Sequence, residues 1–226
     1  MSEITNNSVH KEFELERMIL FTDAVFAIAI TLLIIEIKFP ELPENYKISL
    51  DLFKMFKHTL REFAGFLVSF FFIGMSWAKH LKMFRYLKAY DNGVIFLNLF
   101  SLLFIVSFPF TASGLIHTKP DFMFPMIIYL GNIWLVLFCN FLLAHHIFIR
   151  RPQLSMPGHE AEKKYIYMQR KFPAILLGIV FALVIATAII THNDSNYITY
   201  SIYSIPLLMP IMQRKLKKYK PKKAIV

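Results

Sequence analysis

The sequence predicts an all-α membrane protein with six transmembrane helices and both termini in the cytoplasm. Two observations lead to this fold class: apolar residues come in six long runs, and basic residues are divided unevenly among the segments between them. Hydrophobic residues make up 56% of the 226 residues, and 24 are phenylalanine, which is more than soluble domains usually carry. The runs cover residues 17–37, 63–77, 94–115, 122–149, 172–190 and 197–212.

The lengths of the runs match a bilayer. The first has 21 residues, which at about 1.5 Å per residue spans roughly 31 Å, close to the thickness of the hydrocarbon core. The second is the shortest and needs residues 60–80 to cross. Residues 40–57 form the longest outer connection, in which 51–60 is predicted to be a short interfacial helix. Prolines 109, 206 and 210 are expected to kink the third and last helices.

The basic residues set the orientation. With six spans, 19 of the 25 lysines and arginines fall on the side that holds the N-terminus, and 6 fall on the other. Because cytoplasmic loops carry the excess of Lys and Arg, both termini are predicted to be cytoplasmic. Five spans would place the basic tail outside, against this rule.

The chain divides into three parts. Residues 1–16 are predicted to be a cytoplasmic N-terminal segment without the pattern of a cleavable signal peptide. Residues 17–213 form one membrane domain, and residues 214–226 form a polybasic tail that is expected to attract anionic lipid headgroups. The net charge is +10, and its basic residues are concentrated in the loops and the tail on the cytoplasmic side of the predicted spans. This distribution suits a membrane protein, so no nucleic-acid partner is predicted.

The first apolar run carries a stripe with heptad spacing. Its members are Arg17, Phe21, Ala24, Ile28, Thr31 and Ile35, with Leu32 beside them. Such a stripe is typical of packing against a neighbouring helix. The functional interpretation is that these faces meet around an axis and line a pore. Ile28, Leu32 and Ile35 would then form apolar constrictions that gate by dewetting, and Thr31 would supply a ring of hydroxyls.

Two ionisable residues, Arg17 and Asp23, lie within or at the edge of the same run. Charged groups at that depth are costly, so they need partners. Asp23 and Thr22 lie roughly 120–140° from the stripe, which favours contacts with neighbouring helices. The candidates are Trp77, His80 and Asn98. One interpretation is a polar clamp that fixes the helices, and the other is a proton relay through Asp23 and His80.

These residues carry a resemblance to a known family. The segment Arg-x-x-x-Phe-Thr-Asp at 17–23, followed by Ala-Val-Phe-Ala-Ile-Ala-Ile-Thr-Leu-Leu, resembles the Arg-x-x-x-Phe-Ser-Asp signature of the transmembrane protein 175 family. Shorter pieces also agree, among them Trp-Ala-Lys-His at 77–80, Leu-Asn-Leu at 97–99 and Phe-Pro-Phe-Thr at 108–111. The family comprises the endolysosomal potassium channels and their smaller prokaryotic relatives.

The resemblance implies a homotetrameric, K⁺-permeable leak channel of the prokaryotic plasma membrane, whose pore is lined by the first helix of each subunit. It implies that Ile28, Leu32 and Ile35 are the constriction and that Thr31 is the pore threonine. The signature residues Arg17, Phe21, Thr22 and Asp23 would stabilise the pore helix through a polar network with Trp77, His80 and Asn98. Thr22 replaces the usual serine, which keeps the hydroxyl and adds a methyl group.

Several classes of protein are disfavoured. No two of the seven glycines are adjacent, so a carbonyl selectivity filter is excluded, and any selectivity must come from side chains and pore width. No catalytic constellation or metal-ligand cluster is visible, and neither an enzyme nor a cofactor is predicted; K⁺ is the expected permeant ion. Two alternatives stay open: a proton-coupled secondary transporter that uses Asp23 and His80, and a non-transporting, lipid-interacting membrane protein.

Overall fold

A computed structural model describes residues 2–37, 48–117, 123–191 and 204–221. The first helix, α1, covers Ser2–Leu32 and tightens into one 3-10 turn at Leu33–Glu36. Residues 2–16 contain neither glycine nor proline, and the helix therefore starts well before the apolar run. The boundary predicted at residue 17 marks a change of composition within one helix.

The second helix is longer than its apolar run. Helix α2 covers Ile48–Phe84, so the short interfacial helix predicted at 51–60 is continuous with the span. The sequence suggested two elements because this stretch changes from amphipathic to apolar. No residue there breaks the backbone hydrogen bonding, and the helix continues through the change.

The third apolar run is divided at Ser107. Helix α3 covers Asn92–Val106, and α4 covers Phe108–His117. Pro109 has no backbone N–H to donate, which accounts for the break near the predicted position. The Ser107 hydroxyl lies 3.1 Å from both the backbone carbonyl of Phe104 and Asn132 Oδ1, and its single proton is shared between these acceptors, so the bend is tied to the next span.

The remaining described helices are α5 at Phe124–His145, α6 at Glu160–Ile190 and α7 at Ser204–Lys217. A π-helical turn, His146–Arg150, and a 3-10 turn, Pro152–Leu154, connect α5 to α6. Gly158 has a φ of 80° and His159 a φ of 57°, which reverses the chain just before α6. A left-handed residue in this position favours glycine, as the sequence has it at 158.

Five helical segments among the described residues are long and apolar enough to cross a membrane: Phe13–Glu36, Glu62–Phe84, Asn92–Leu115, Phe124–Arg150 and Glu160–Ile190. They correspond to the first five predicted runs. The sixth, at residues 197–212, lies partly outside the described residues, which resume at Ser204 with α7.

Helix α1 packs on α2 and α3, while α5 packs on α3, α4 and α6. The core that surrounds the middle of α1 contains Phe26, Ala29 and Leu33, together with Ile73 of α2 and Ile105 of α3. One side of α1 is therefore packed against other helices of the same chain.

Candidate pore helix and its polar contacts

The inward face of α1 is fully packed. Thr22, Phe26, Ala29 and Leu33 are each 2% exposed or less. Their spacing of four, three and four residues places them in one stripe along the helix. This stripe differs from the heptad stripe noted in the sequence, and it is the one that fixes α1 to α2 and α3.

The outward face of α1 contains the predicted constriction residues. Ile28 is 55% exposed, Leu32 41% and Ile35 66%. Thr31 is also exposed, and its hydroxyl donates to the backbone carbonyl of Ile28 at 2.9 Å. Because its hydrogen is directed into the helix, the threonine oxygen keeps both lone pairs free to face outward, as coordination of a cation requires.

A chain of three side chains joins α1, α2 and α3 behind this face. The Thr22 hydroxyl donates to the backbone carbonyl of Met18 at 2.8 Å and accepts a hydrogen bond from Asn98 Nδ2 at 2.8 Å. Asn98 Oδ1 lies 2.9 Å from His80 Nε2. Because Asn98 donates through its nitrogen, its oxygen must accept, and so His80 carries the proton on Nε2.

The three hydrogen-bonded side chains are buried, so their hydrogen bonds constrain how α1 packs. Thr22, His80 and Asn98 are each 2% exposed or less. The His80 ring stacks on Phe84 with 4.0 Å between centroids and lies 5.8 Å from the Phe26 ring. Buried polar groups must be paired, so these hydrogen bonds specify one register of α1 against its neighbours. The methyl group that distinguishes Thr22 from serine is accommodated in the packed core.

Asp23 makes a separate contact. Its Oδ1 accepts a hydrogen bond from Trp77 Nε1 at 2.9 Å, again linking α1 to α2. The two predicted members of a proton relay, Asp23 and His80, thus have different hydrogen-bond partners: Trp77 for Asp23 and Asn98 for His80. The polar residues proposed from the sequence form two contacts between helices, Thr22–Asn98–His80 and Asp23–Trp77.

Arg17 and Phe21, the remaining signature residues, lie on the exposed side. Phe21 is 53% exposed, and the Arg17 guanidinium lies 6.0 Å from the centre of the Phe13 ring. Both line an open cavity of about 400 Å³ with Glu14, Met18, Tyr90, Ile95, Asn98 and Leu99. The structure therefore places Arg17 beside the polar chain without a hydrogen bond to it among the described residues.

Sequence reasoning missed the contact between Asp91 and His146. Asp91 caps the start of α3 by accepting from the Val94 N–H at 2.9 Å, and it also lies 2.9 Å from His146 Nε2. Gly93 allows this approach, since a Cβ there would lie 2.6 Å from the imidazole. Burial acts to raise the pKa of Asp91, but the Val94 N–H, the His146 hydrogen bond and the charges of His146 and Arg151 together lower it.

A second polar contact set joins α5 to the broken third span, and this also escaped the sequence reading. Asn132 donates to Thr111 at 3.3 Å, and Asn140 donates to Ser101 at 3.0 Å. Two asparagines eight residues apart on one apolar helix were the available signal, because that spacing places them near the same face. Within the described ranges, no group of three metal-ligating side chains occurs.

Comparison with known proteins is consistent with the resemblance. Residues 17–109 match the family model of the endosomal/lysosomal potassium channel TMEM175. A potassium channel of Streptomyces collinus is 36% identical over 95 residues, covering 42% of this chain and 44% of that protein. An endosomal/lysosomal proton channel TMEM175 of Danio rerio is 19% identical over 205 residues, covering 89% of this chain and 37% of that one.

Among solved structures, a lysosomal potassium-selective channel TMEM175 homologue from Chamaesiphon minutus superposes with a TM-score of 0.60 at 25% identity. The match covers 84% of this chain and 95% of that chain. The chain thus spans less than half the length of these two curated relatives and almost all of the solved one. The matched family is one of ion channels and not of enzymes.

Proposed function

We propose that this chain belongs to the TMEM175 family, whose model matches residues 17–109, and that it is one subunit of a potassium-permeable leak channel. The observation that carries the proposal is the asymmetry of α1. Its inner stripe is packed within the subunit, whereas Ile28, Leu32 and Ile35 are 41–66% exposed on the other side. An apolar face with a threonine among its members is suited to a dewetting constriction.

A single pore helix cannot enclose a pore, so several copies must assemble around an axis. We infer four, as the resemblance implies, with Ile28 of each copy at the narrowest point. Thr31 then contributes one hydroxyl oxygen per subunit beside that point. Since side chains replace a carbonyl filter, selectivity for K⁺ over Na⁺ is expected to be modest.

The proposed protein is multi-pass, with six spans, both termini in the cytoplasm and the tail at the inner leaflet of a prokaryotic plasma membrane. The 19-to-6 division of basic residues supports this orientation. Helix α7 has Arg214, Lys215 and Lys217 in its last turn, and this cluster of positive charge supports an attraction to anionic headgroups.

The primary test is cation flux from liposomes that contain the purified protein. We expect K⁺ flux to exceed Na⁺ flux, and Ile28→Asn to raise total flux or reduce the preference, because an amide wets the constriction. The matched control is Ile179→Asn on α6, where the isoleucine is 53% exposed, almost as much as Ile28 at 55%. Flux from Ile28→Asn that equals the flux from Ile179→Asn and wild type, in folded protein, would reject the assignment of the constriction.

Thr31→Ala tests the selectivity element in the same liposomes. It removes the hydroxyl oxygen. The helix should be retained, because the hydrogen bond that is lost joins Thr31 only to the backbone carbonyl of Ile28 in the same helix. We expect the K⁺ to Na⁺ flux ratio to change while assembly is retained. A fixed ratio would show that the hydroxyl does not contribute to selectivity.

The proton-coupled transporter is the less favoured alternative. Its two central residues, Asp23 and His80, engage Trp77 and Asn98 respectively. A transporter would give slow, saturable transport that Asp23→Asn abolishes, whereas a channel passes K⁺ without a coupled proton. Recording proton flux with a pH-sensitive dye beside K⁺ flux separates coupled transport from proton leakage through a channel.

A further inference from the structure

Arg170 of α6 is a buried cation that takes no part in the hydrogen bonds among Thr22, Asn98 and His80. The residue is 5% exposed, and its Nη2 has no hydrogen-bond partner. Among the side chains that the structure describes, no carboxylate forms an ion pair with it. A buried guanidinium without a counter-charge is strongly unfavourable, so its environment calls for an anion.

The side chains near Arg170 add positive charge. Lys79 and His80 of α2 both lie close enough for the Arg170 charge to act on them. Glu160, an acidic residue on the same helix, instead accepts from Lys163 Nζ at 2.9 Å. Helices α2 and α6 are in contact, so the positive charge of Arg170 faces the end of α2 that bears Lys79.

Three carbonyls at the end of α2, those of Leu81, Met83 and Phe84, already accept backbone N–H groups from the residues that follow the helix. The described residues give Arg170 Nη2 no acceptor, which leaves this position open to a group from outside the described fold. Lys79 is exposed, so its side chain marks where this pair of helices meets the surroundings.

The position of Arg170 along α6 indicates which part of the membrane surrounds it. Helix α6 has 31 residues, or roughly 46 Å at about 1.5 Å per residue, which exceeds a hydrocarbon core of about 30 Å. The apolar run 172–190 has 19 residues and fits that core at roughly 28 Å. Arg170 precedes this run by two residues, and so it lies at the level of the lipid headgroups.

We propose that Arg170 and Lys79 form a binding site for a phosphate group, supplied by an anionic phospholipid or by free phosphate. The planar guanidinium can donate two parallel hydrogen bonds to phosphate oxygens, and the ammonium adds a second charge from the exposed side. One anion then relieves both the unsatisfied Nη2 and the repulsion between the two cations.

The test is the thermal unfolding of the purified full-length protein in neutral detergent. Phosphatidylglycerol, phosphatidylcholine and inorganic phosphate are each titrated at constant ionic strength. A ligand that binds only the folded state raises its Tm. We expect phosphatidylglycerol to raise the Tm of wild type by several degrees more than phosphatidylcholine, and Arg170→Gln to remove this difference.

Two further variants keep the test decisive. Lys79→Gln changes an exposed residue, so it is expected to fold and to reduce the shift even where Arg170→Gln unfolds. Lys164→Gln is the matched control, because Lys164 is an exposed lysine of the same helix whose ammonium lies 5.7 Å from the Tyr219 ring centre. It should retain the full shift.

The ligand series identifies the source of the phosphate group. A shift with inorganic phosphate that depends on Lys79 and Arg170 indicates a site for the free anion, and one seen only with phosphatidylglycerol indicates the headgroup. Equal shifts in wild type, Lys79→Gln and Lys164→Gln would overturn the proposal and indicate general surface charge. No anion-dependent shift in wild type would overturn it also. The readout is stability, so the result does not depend on whether the protein conducts.

Discussion

The two faces of α1 differ in whether other helices cover them. The inner face contains Thr22, Phe26, Ala29 and Leu33 and is covered by α2 and α3 of the same chain. The outer face contains Ile28, Leu32 and Ile35, and no described part of the chain covers it as closely. Both faces are apolar, so hydrophobicity alone does not distinguish them.

The difference shows that one face of a membrane helix can stabilise the fold while the other face remains available for the proposed function. Apolar contact provides little association energy in lipid, because lipid tails are as apolar as leucine side chains. The inner face therefore adds the hydrogen-bonded chain from Thr22 to His80, which specifies its register. The outer face lacks such a chain and is left for assembly, lipid contact or a pore.

The largest expected effect distinguishes the faces by side-chain volume. Phe26→Ala should destabilise the folded protein by about 3–5 kcal/mol, because it leaves a cavity beside Ile73, Ile105 and His80. Phe21→Ala removes the same volume from a side chain that is 53% exposed, and it should cost much less. Thermal unfolding in detergent measures both. Equal losses would show that the outer face is as tightly packed as the inner one.

An intermediate effect is expected from the polar chain. Asn98→Ala removes the hydrogen bonds to Thr22 and His80 and leaves the buried His80 Nε2–H without its acceptor. The cost should be about 1–3 kcal/mol. Asn92→Ala serves as a control, since Asn92 is an exposed asparagine of the same helix. A loss no larger than that of the control would show that the chain does not hold α1 in place.

The smallest effect lies at the start of α3 and depends on pH. The pKa of Asp91 is lowered in the folded protein, so its contribution to stability is present above its ordinary value of 3.8 and is lost as pH falls through the folded value. Asp91→Asn should therefore lower the Tm at pH values above 3.8. The two proteins should converge below pH 3.8. A difference that persists unchanged to lower pH would contradict this linkage.

Much of the fold was predictable because the bilayer imposes a simple length rule. The first five apolar runs correspond to helical segments of spanning length, and the break near Pro109 follows from its missing N–H. Helix ends outside the hydrocarbon were not predictable from apolar runs. Both α1 and α2 extend beyond their runs, because polar residues without glycine or proline continue a helix in water as well.

The contacts were only partly predictable. The sequence indicated that polar residues on the first helix would need partners and named Trp77, His80 and Asn98. It could not assign Asp23 to Trp77 and Thr22 to Asn98, because neighbouring residues on a helix differ in direction by about 100° and the partners lie on separate helices. The contact between Asp91 and His146 carries no periodic signal, since it joins two helix ends 55 residues apart.

The sequence by itself determined that the chain is an all-α membrane protein, that it resembles one channel family, and where the polar residues of its first helix lie. These follow from apolar length, charge distribution and a local motif, which are properties of neighbouring residues. Only the tertiary structure decided which stripe of α1 is packed and which is exposed, and it alone revealed that Arg170 Nη2 is buried without a hydrogen-bond partner among the described residues. Periodicity marks a face without saying what covers it, because covering a face depends on helices that are distant in the chain.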